Sequence, residues 1–222
     1  MNKAILIILL ITTLNLNAQT HFIGIKGGVN WTNVTSTNFP SNINYRTGLS
    51  SGLTYEYLTM KHFSFSMDFF YNQRGFTNDI IFINNLVNPS GQKVTCKSNY
   101  DYFSVPIKAA YNIGGNIYGF INIGVSPSFL INAKYESPII NSNNKFAGKE
   151  TIDVTDKATR FDLVGLIEIG GAYKLTDKLI LFSSFAYQRS FIAFSNSEYL
   201  SNSKAKHYGM SLSLGLKYDF MK

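Results

Sequence analysis

Cysteine and charge are the scarce components of this sequence. The one cysteine, Cys96, excludes an intramolecular disulfide framework, and in an exported chain a lone thiol is expected as a tolerated loop residue rather than a nucleophile. Charged residues make up only 15 % of the chain. Beyond the first twenty residues no stretch approaches the ~18 consecutive apolar residues of a spanning helix, so any membrane insertion must use strands. There is no CxxC, no HExxH and no phosphate-binding glycine loop. "GIKGG" at 24–28 is followed by no helical pattern and reads as strand with inward glycines. The formal net charge is +7, but no basic cluster alternates with aromatics, which argues against nucleic acid as a partner.

The first twenty residues, "MNKAILIILLITTLNLNAQT", stand apart. Lys3 gives a basic start, Ala4 to Leu14 an apolar core, and Leu16-Asn17-Ala18 a small-residue end before Gln19. This is the layout of a secretory signal peptide, expected to be cleaved after residue 18, and the apolar core is too short for a spanning helix. Residues 19–222 then form one domain.

Alternation dominates the rest. In "KHYGMSLSLGLKYDF" (206–220) Tyr208, Met210, Leu212, Leu214, Leu216, Tyr218 and Phe220 oppose Gly209, Ser211, Ser213, Gly215, Lys217 and Asp219. The same period of two recurs near 21–31, 45–57, 62–74, 100–112, 117–133, 159–173 and 178–191, giving eight strands with two unlike faces. These run about 11 to 17 residues, against ~5–6 in soluble sheets; a tilted bilayer-crossing strand needs about 9–11. The connections alternate too. Residues 32–44, 75–99, 135–157 and 192–205 read as long polar loops, whereas 58–61, 113–115 and 174–177 are short turns. An up-and-down outer-membrane barrel sorts its loops this way, with tight periplasmic turns and long extracellular loops. The expected fold is therefore all-β: an eight-stranded antiparallel up-and-down transmembrane β-barrel.

Aromatic residues are expected to flank the aliphatic band as girdles. Trp31, Tyr45, Tyr71, Phe103, Phe161, Tyr187 and Tyr208 fall near outer strand ends, and Tyr55, Tyr57, Tyr111, Tyr173, Tyr218 and Phe220 near inner ends. The face turned into the narrow lumen carries Lys26, Arg46, Arg74, Lys108, Arg160 and Lys217 against Glu56, Asp68, Asp162, Glu168 and Asp219. Buried charges are costly unless paired, so this near-balance predicts a salt-bridged structural plug in preference to an ion pathway.

Enzymatic readings find little support. His21 and His62 fall at the periplasmic ends of strands and His207 at an outer end, so a shared metal or triad is not expected. The one catalytic candidate, a lipid-modifying site, would pair His207 with Ser201 or Ser203 at the bilayer surface. No metal or cofactor is expected.

Several stretches resemble the PorT-like outer-membrane β-barrel family. These are "FIGIKGGVNWTNV" (22–34), the segment around "FSMDFFYNQRGF", "YFSVPIKAAYNI" (102–113), "INIGVSPSFLINAKY" (121–135) and "RFDLVGLIEIGGAYKL" (160–175). Asp68 stands where that family more usually has Glu, and the terminal aromatic is Phe220, followed by Met221 and Lys222. The resemblance implies an eight-stranded barrel of the kind seen in small OmpA- and OmpX-like proteins, and in one founding member a role in protein secretion. The expectation is a monomeric, non-enzymatic outer-membrane barrel with loops available for surface recognition or envelope integrity. Its partners would be outer-membrane lipids and lipopolysaccharide and the outer-membrane assembly machinery. An accessory role with secretion-complex proteins, or a lipid-modifying activity, are the alternatives.

Overall fold

Side chains alternate between two environments along most of the strands, and a chain so patterned buries its polar face only by rolling up. In the computed structural model, which describes residues 20–36, 43–85, 88–141, 146–194 and 205–221, ten antiparallel strands form a single sheet. They are β1 (Thr20–Thr35), β2 (Ile43–Leu58), β3 (Phe63–Asn85), β4 (Asn88–Ser104), β5 (Ile107–Gly114), β6 (Ile117–Ile140), β7 (Phe146–Asp153), β8 (Phe161–Lys174), β9 (Leu179–Ser190) and β10 (Lys206–Asp219). β1 pairs with β2 on one side and β10 on the other, so the sheet closes on itself.

Eight staves make the wall. β4 and β5 share one of them, interrupted at Val105–Pro106. Proline brings no N–H to a ladder; here Pro106 contributes only its carbonyl, which accepts from Asp68 N at 2.9 Å, and Val105 N donates to Pro127 O at 2.8 Å. β7 is extra to the wall and pairs with β6 alone. Turns near 59–62, 115–116 and 175–178 lie at one end of the barrel.

The outward face is apolar. Leu212 and Leu214 are 48 % and 59 % exposed, whereas the intervening Ser213 is 6 % exposed. Inward glycines let the tightly curved backbone close up: a Cβ on Gly28 would lie 2.1 Å from the Leu212 carbonyl oxygen.

Two expected loops are mostly strand. β3 and β4 continue as a hairpin through much of 75–99, and β6 continues to Ile140 before β7 returns, followed by a 3₁₀ turn at Thr155–Lys157. Period two persists there, with Val94, Cys96 and Ser98 buried between exposed Lys93, Thr95 and Lys97. The outward positions merely change from aliphatic to polar where the sheet leaves lipid, and that polarity is what resembles a loop. Cys96 is accordingly no loop thiol. It is 1 % exposed and packs with Val94, Ile80 and Phe146, which joins the β6–β7 hairpin to the β3–β4 hairpin. Outside this seam Lys149 Nζ binds Glu136 Oε2 at 3.2 Å and the Thr95 carbonyl at 2.5 Å. The Lys93 ammonium, at 2.9 Å, and the Thr95 hydroxyl, at 2.6 Å, hold the Asp79 carboxyl below the usual carboxylate range. The expected signal peptide and much of the expected 32–44 and 192–205 loops lie outside the described residues.

Two outcomes check this arrangement. Leu214→Arg puts a cation in the middle of the lipid-facing band and should cost about 2–4 kcal/mol in equilibrium unfolding from lipid vesicles; a wild-type unfolding curve would refute a lipid-facing Leu214. Cys96 should resist a bulky maleimide in the folded protein and react on unfolding. Phe146→Ala should raise its labelling rate while electrophoretic heat-modifiability stays intact.

Candidate functional site

The inward side chains meet in layers along the barrel axis. Nearer the short turns, Lys26 Nζ lies 2.7 Å from Glu168 Oε2, and Lys108 Nζ lies 2.6 Å from Asp68 Oδ2 and 3.7 Å from Glu168. Lys217 pairs with Glu56. Neutral groups take the remaining carboxylate positions: Thr54 Oγ1 donates to Asp68 at 2.6 Å, Ser64 Oγ to Glu56 at 2.6 Å and Asn122 Nδ2 to Glu168 at 2.9 Å. Nearer the long hairpins, Arg74 Nη1 donates to Asp162 Oδ2 at 2.9 Å, its Nη2 reaches Ser104 and Ser128, and its guanidinium lies 4.8 Å from the Tyr102 ring centroid. Ser190 Oγ donates to the same Asp162 oxygen at 2.6 Å. Lys26, Lys108, Lys217 and Arg74 thus face Glu56, Asp68, Glu168 and Asp162, four cations to four anions. Such charges are tolerated in a dry interior because each is paired and hydrogen-bonded.

Apolar layers lie beyond the charges at both ends. At the hairpin end Phe76, Tyr100, Tyr102, Leu130, Val154 and Phe194 pack together. At the other end Phe120, Phe182, Ile180 and Ala172 do the same, with Lys217 Nζ 4.6 Å from the Phe182 ring. Between them the lumen holds cavities of about 20 and 40 Å³, room for isolated waters only. Sequence reasoning missed both layers; the signal was aromatic residues at inward positions, Phe76, Phe120 and Phe182.

Of the eleven charges expected inside, nine are buried; Asp219 among them accepts from Met221 N at 3.1 Å. Arg160 is not inside: it pairs with Asp156 at 2.5 Å, and both side chains are more than half exposed. It sits just ahead of β8, on the chain that climbs out of the wall, where the inside–outside alternation no longer applies. Arg46 is also no member of the network. It stands where β2 loses register with β3 between Tyr45 and Ser50, and its Nη1 donates to the Arg74 carbonyl at 3.0 Å.

That register break leaves backbone groups of β3 unpaired, which lipid cannot satisfy. Side chains of β1 reach past the inner face of β2 to supply them. Asn30 Nδ2 donates to Gln73 O at 3.3 Å and to Asn72 Oδ1 at 2.6 Å. Thr32 Oγ1 donates to Gly75 O and accepts from Gly75 N, both at 2.9 Å. Gly75 has φ +148°, and a Cβ there would lie 1.9 Å from the Ser98 carbonyl oxygen. On the outer side Leu49 N donates to Gln73 Oε1 at 3.2 Å. No sequence pattern announced Asn30 or Thr32 in this role.

Tyr71, Phe103, Phe129 and Phe161 are successive cross-strand partners and make one outer aromatic row; Tyr45 and Tyr208 stand 5.8 Å apart, edge to face, and Trp31 and Tyr187 are each opposite Met210. At the short-turn end Tyr111 packs on Phe63 at 5.0 Å, and His21 on Tyr57 at 4.9 Å and Phe220 at 5.9 Å; Tyr55 and Tyr218 both lie opposite Ile23, and Tyr173 opposite Ile117. His62 Nδ1 is 2.8 Å from Asn112 O at that same end. His207 lies at the other end, buried inside the barrel and stacked at 4.2 Å on Phe194. Its ring therefore faces the lumen and not the bilayer surface that a lipid-modifying site needs; Ser201 and Ser203 lie outside the described residues. Among the described residues no three His, Cys, Asp or Glu side chains gather as a metal site.

A sequence model described as "Outer membrane protein beta-barrel domain" matches residues 17–222. No curated protein matches the chain by sequence. Among solved structures it is similar to a major outer membrane protein from Thermus thermophilus, at 12 % identity and a TM-score of 0.53 over 92 % of this chain and 100 % of that one. Neisserial surface protein A gives 12 % identity and 0.51 over 89 % and 97 %. OprG from Pseudomonas aeruginosa gives 14 % and 0.50 over 91 % and 97 %. Identities this low concern the fold alone.

Removing one partner of a buried pair strands the other. Arg74→Leu should therefore cost about 3–5 kcal/mol in urea unfolding from vesicles, and Arg74→Leu/Asp162→Leu should recover most of that loss. A double variant no more stable than the single one would show that the pair does not act as a unit.

Proposed function

The chain belongs to the family of outer membrane protein β-barrel domains, and on that premise we propose that it is a closed, non-enzymatic barrel whose extracellular hairpins serve surface recognition. The observation that carries this reading is the filled lumen. Four charge pairs sit between two apolar layers, which among the described residues leaves no aqueous path through the lumen. What the protein offers to its surroundings is then the sheet beyond the membrane. The β3–β4 and β6–β7 hairpins are joined there by an apolar seam and by Lys149, which makes them one stiff surface instead of two separate loops.

Export by the N-terminal signal peptide, delivery by the outer-membrane assembly machinery and a monomeric state belong to the same reading. So do contact with lipopolysaccharide and placement in the PorT-like branch, which the "VPIKAAY" and "GLIEIGGAYKL" stretches favour.

Purified protein in planar bilayers should give no sustained conductance steps. An epitope inserted between Asn85 and Asn88, where β3 hands over to β4, should be stained by antibody on intact cells. Steady channels would refute the closed lumen, and staining only after lysis would refute the extracellular hairpins.

A further inference from the structure

At the hairpin end the barrel mouth is capped by its own chain. Val154 N donates to Ala133 O at 2.9 Å and Leu130 N to Arg160 O at 2.8 Å, which anchors 154–160 on β6. Thr159 N donates to Phe194 O at 2.9 Å, and Phe194 N to Ala205 O at 3.0 Å. Val154, Ala158, Phe194 and Ala205 are buried there against inward side chains of β1, β3, β4 and β6.

His207 stands beneath this cap. It lies one residue beyond Tyr208, which packs on Tyr45 in the outer aromatic row, and so sits outside the hydrocarbon band. Its ring stacks on Phe194 at 4.2 Å and meets Tyr100 at 5.0 Å and Tyr102 at 6.2 Å, both edge-on. Both ring nitrogens are shielded from solvent, and among the described residues neither has a hydrogen-bond partner. Buried polar atoms are rarely left so. The charged groups around the ring offer it nothing. The Arg74 guanidinium of β3 is near enough to repel a second cation, and the Asp162 carboxylate of β8 is engaged by Arg74 and Ser190. Arg189 of β9 borders the same narrow space, β4 brings only the Tyr100 and Tyr102 phenols, and β1 places Val34 opposite. Burial first, and then Arg74, hold the imidazole well below its ordinary pKa of 6.5. Phenylalanine would fill this space equally well; what histidine adds is the capacity to take a proton.

We propose that His207 is an acid-released latch on the cap. Neutral, it packs under Phe194 and the mouth is covered. Protonated, it presents to Arg74 a cation without an acceptor, and Phe194 lifts away together with 154–160. The aromatic faces compensate that cation only in part. The open ring binds a proton that the closed ring refuses, so closure is fully favoured above about pH 6.5 and weakens steadily below it. Acid thereby bares the Tyr100, Tyr102 and Phe194 surface at the mouth, while the four ion pairs beneath keep the lumen filled. The inference rests on the cap and the ring alone and adds a condition under which the exposed surface changes.

The test is amide hydrogen exchange of the full-length mature protein in detergent micelles at about pH 5 and about pH 7.5, each rate divided by the intrinsic rate of an unstructured chain at that pH. In wild type the segments 154–160 and 191–194 should lose about thirtyfold in protection at the lower pH, the ratio set by an open ring that titrates near 6.5. His207→Phe keeps the stack and removes the titration. Its cap should match wild type at the higher pH and stay equally protected at the lower one. A wild-type cap indifferent to pH would overturn the proposal, as would a His207→Phe cap that loosens in acid as steeply as wild type. A second measurement needs no variant. In wild type with carbon-13-labelled histidine, the His207 ring should still be neutral at about pH 6; a ring already protonated there under a protected cap would equally overturn the latch.

Discussion

Hydrocarbon offers no partner to a peptide N–H or C=O, and the barrel wall answers to that constraint throughout. The sheet has no free edge within the barrel because β1 meets β10. Where the ladder fails, another group takes over: Pro106 contributes its carbonyl to Asp68 N, and Asn30 and Thr32 reach past β2 to the part of β3 that β2 abandons. These substitutions are local, but the requirement they meet is global. Above the bilayer it lapses, and among the described residues β7 pairs with β6 as its one strand neighbour.

Closing so small a ring turns the polar face inward at high density, and charge compensation follows from that crowding. The pairs are graded by chemistry. Lysines serve the layer near the short turns, where Lys108 bridges two carboxylates as a compact ammonium. The one buried guanidinium, Arg74, uses its planar fork to bind Asp162, Ser104 and Ser128 at once. Aromatic layers above and below keep water from these charges, which strengthens each pair and raises the cost of losing a partner.

Much of this was legible in the sequence, because a period of two is a direct record of two environments. Leu212, Ser213 and Leu214 alone indicate which way the wall faces. Legibility ended where the environments stopped differing by simple polarity. Above the membrane Thr95 and Lys97 meet water outside while Cys96 meets Phe146 inside, and a stretch of Thr, Asn and Lys then resembles a loop. By residue parity Arg46 and Arg160 belong to the inward face, but a register break displaces the first and the second lies ahead of its strand. The aromatic layers were hidden for a related reason: Phe120 and Phe182 occupy positions that count as polar by parity, and only the closed barrel shows that they meet each other, with ring centroids 6.5 Å apart. The stitching by Asn30 and Thr32 depends on a defect in a strand they do not neighbour in sequence.

The ion pairs also bear on how the chain enters the membrane. Lys26 and Glu168 are separated by 142 residues, and Lys217 and Glu56 by 161. An intermediate that delivered its hairpins one at a time would carry those ammonium groups and carboxylates into hydrocarbon with nothing to neutralise them, at several kcal/mol apiece. Pairing across the whole length of the chain thus ties the stability of each strand in hydrocarbon to closure of the ring.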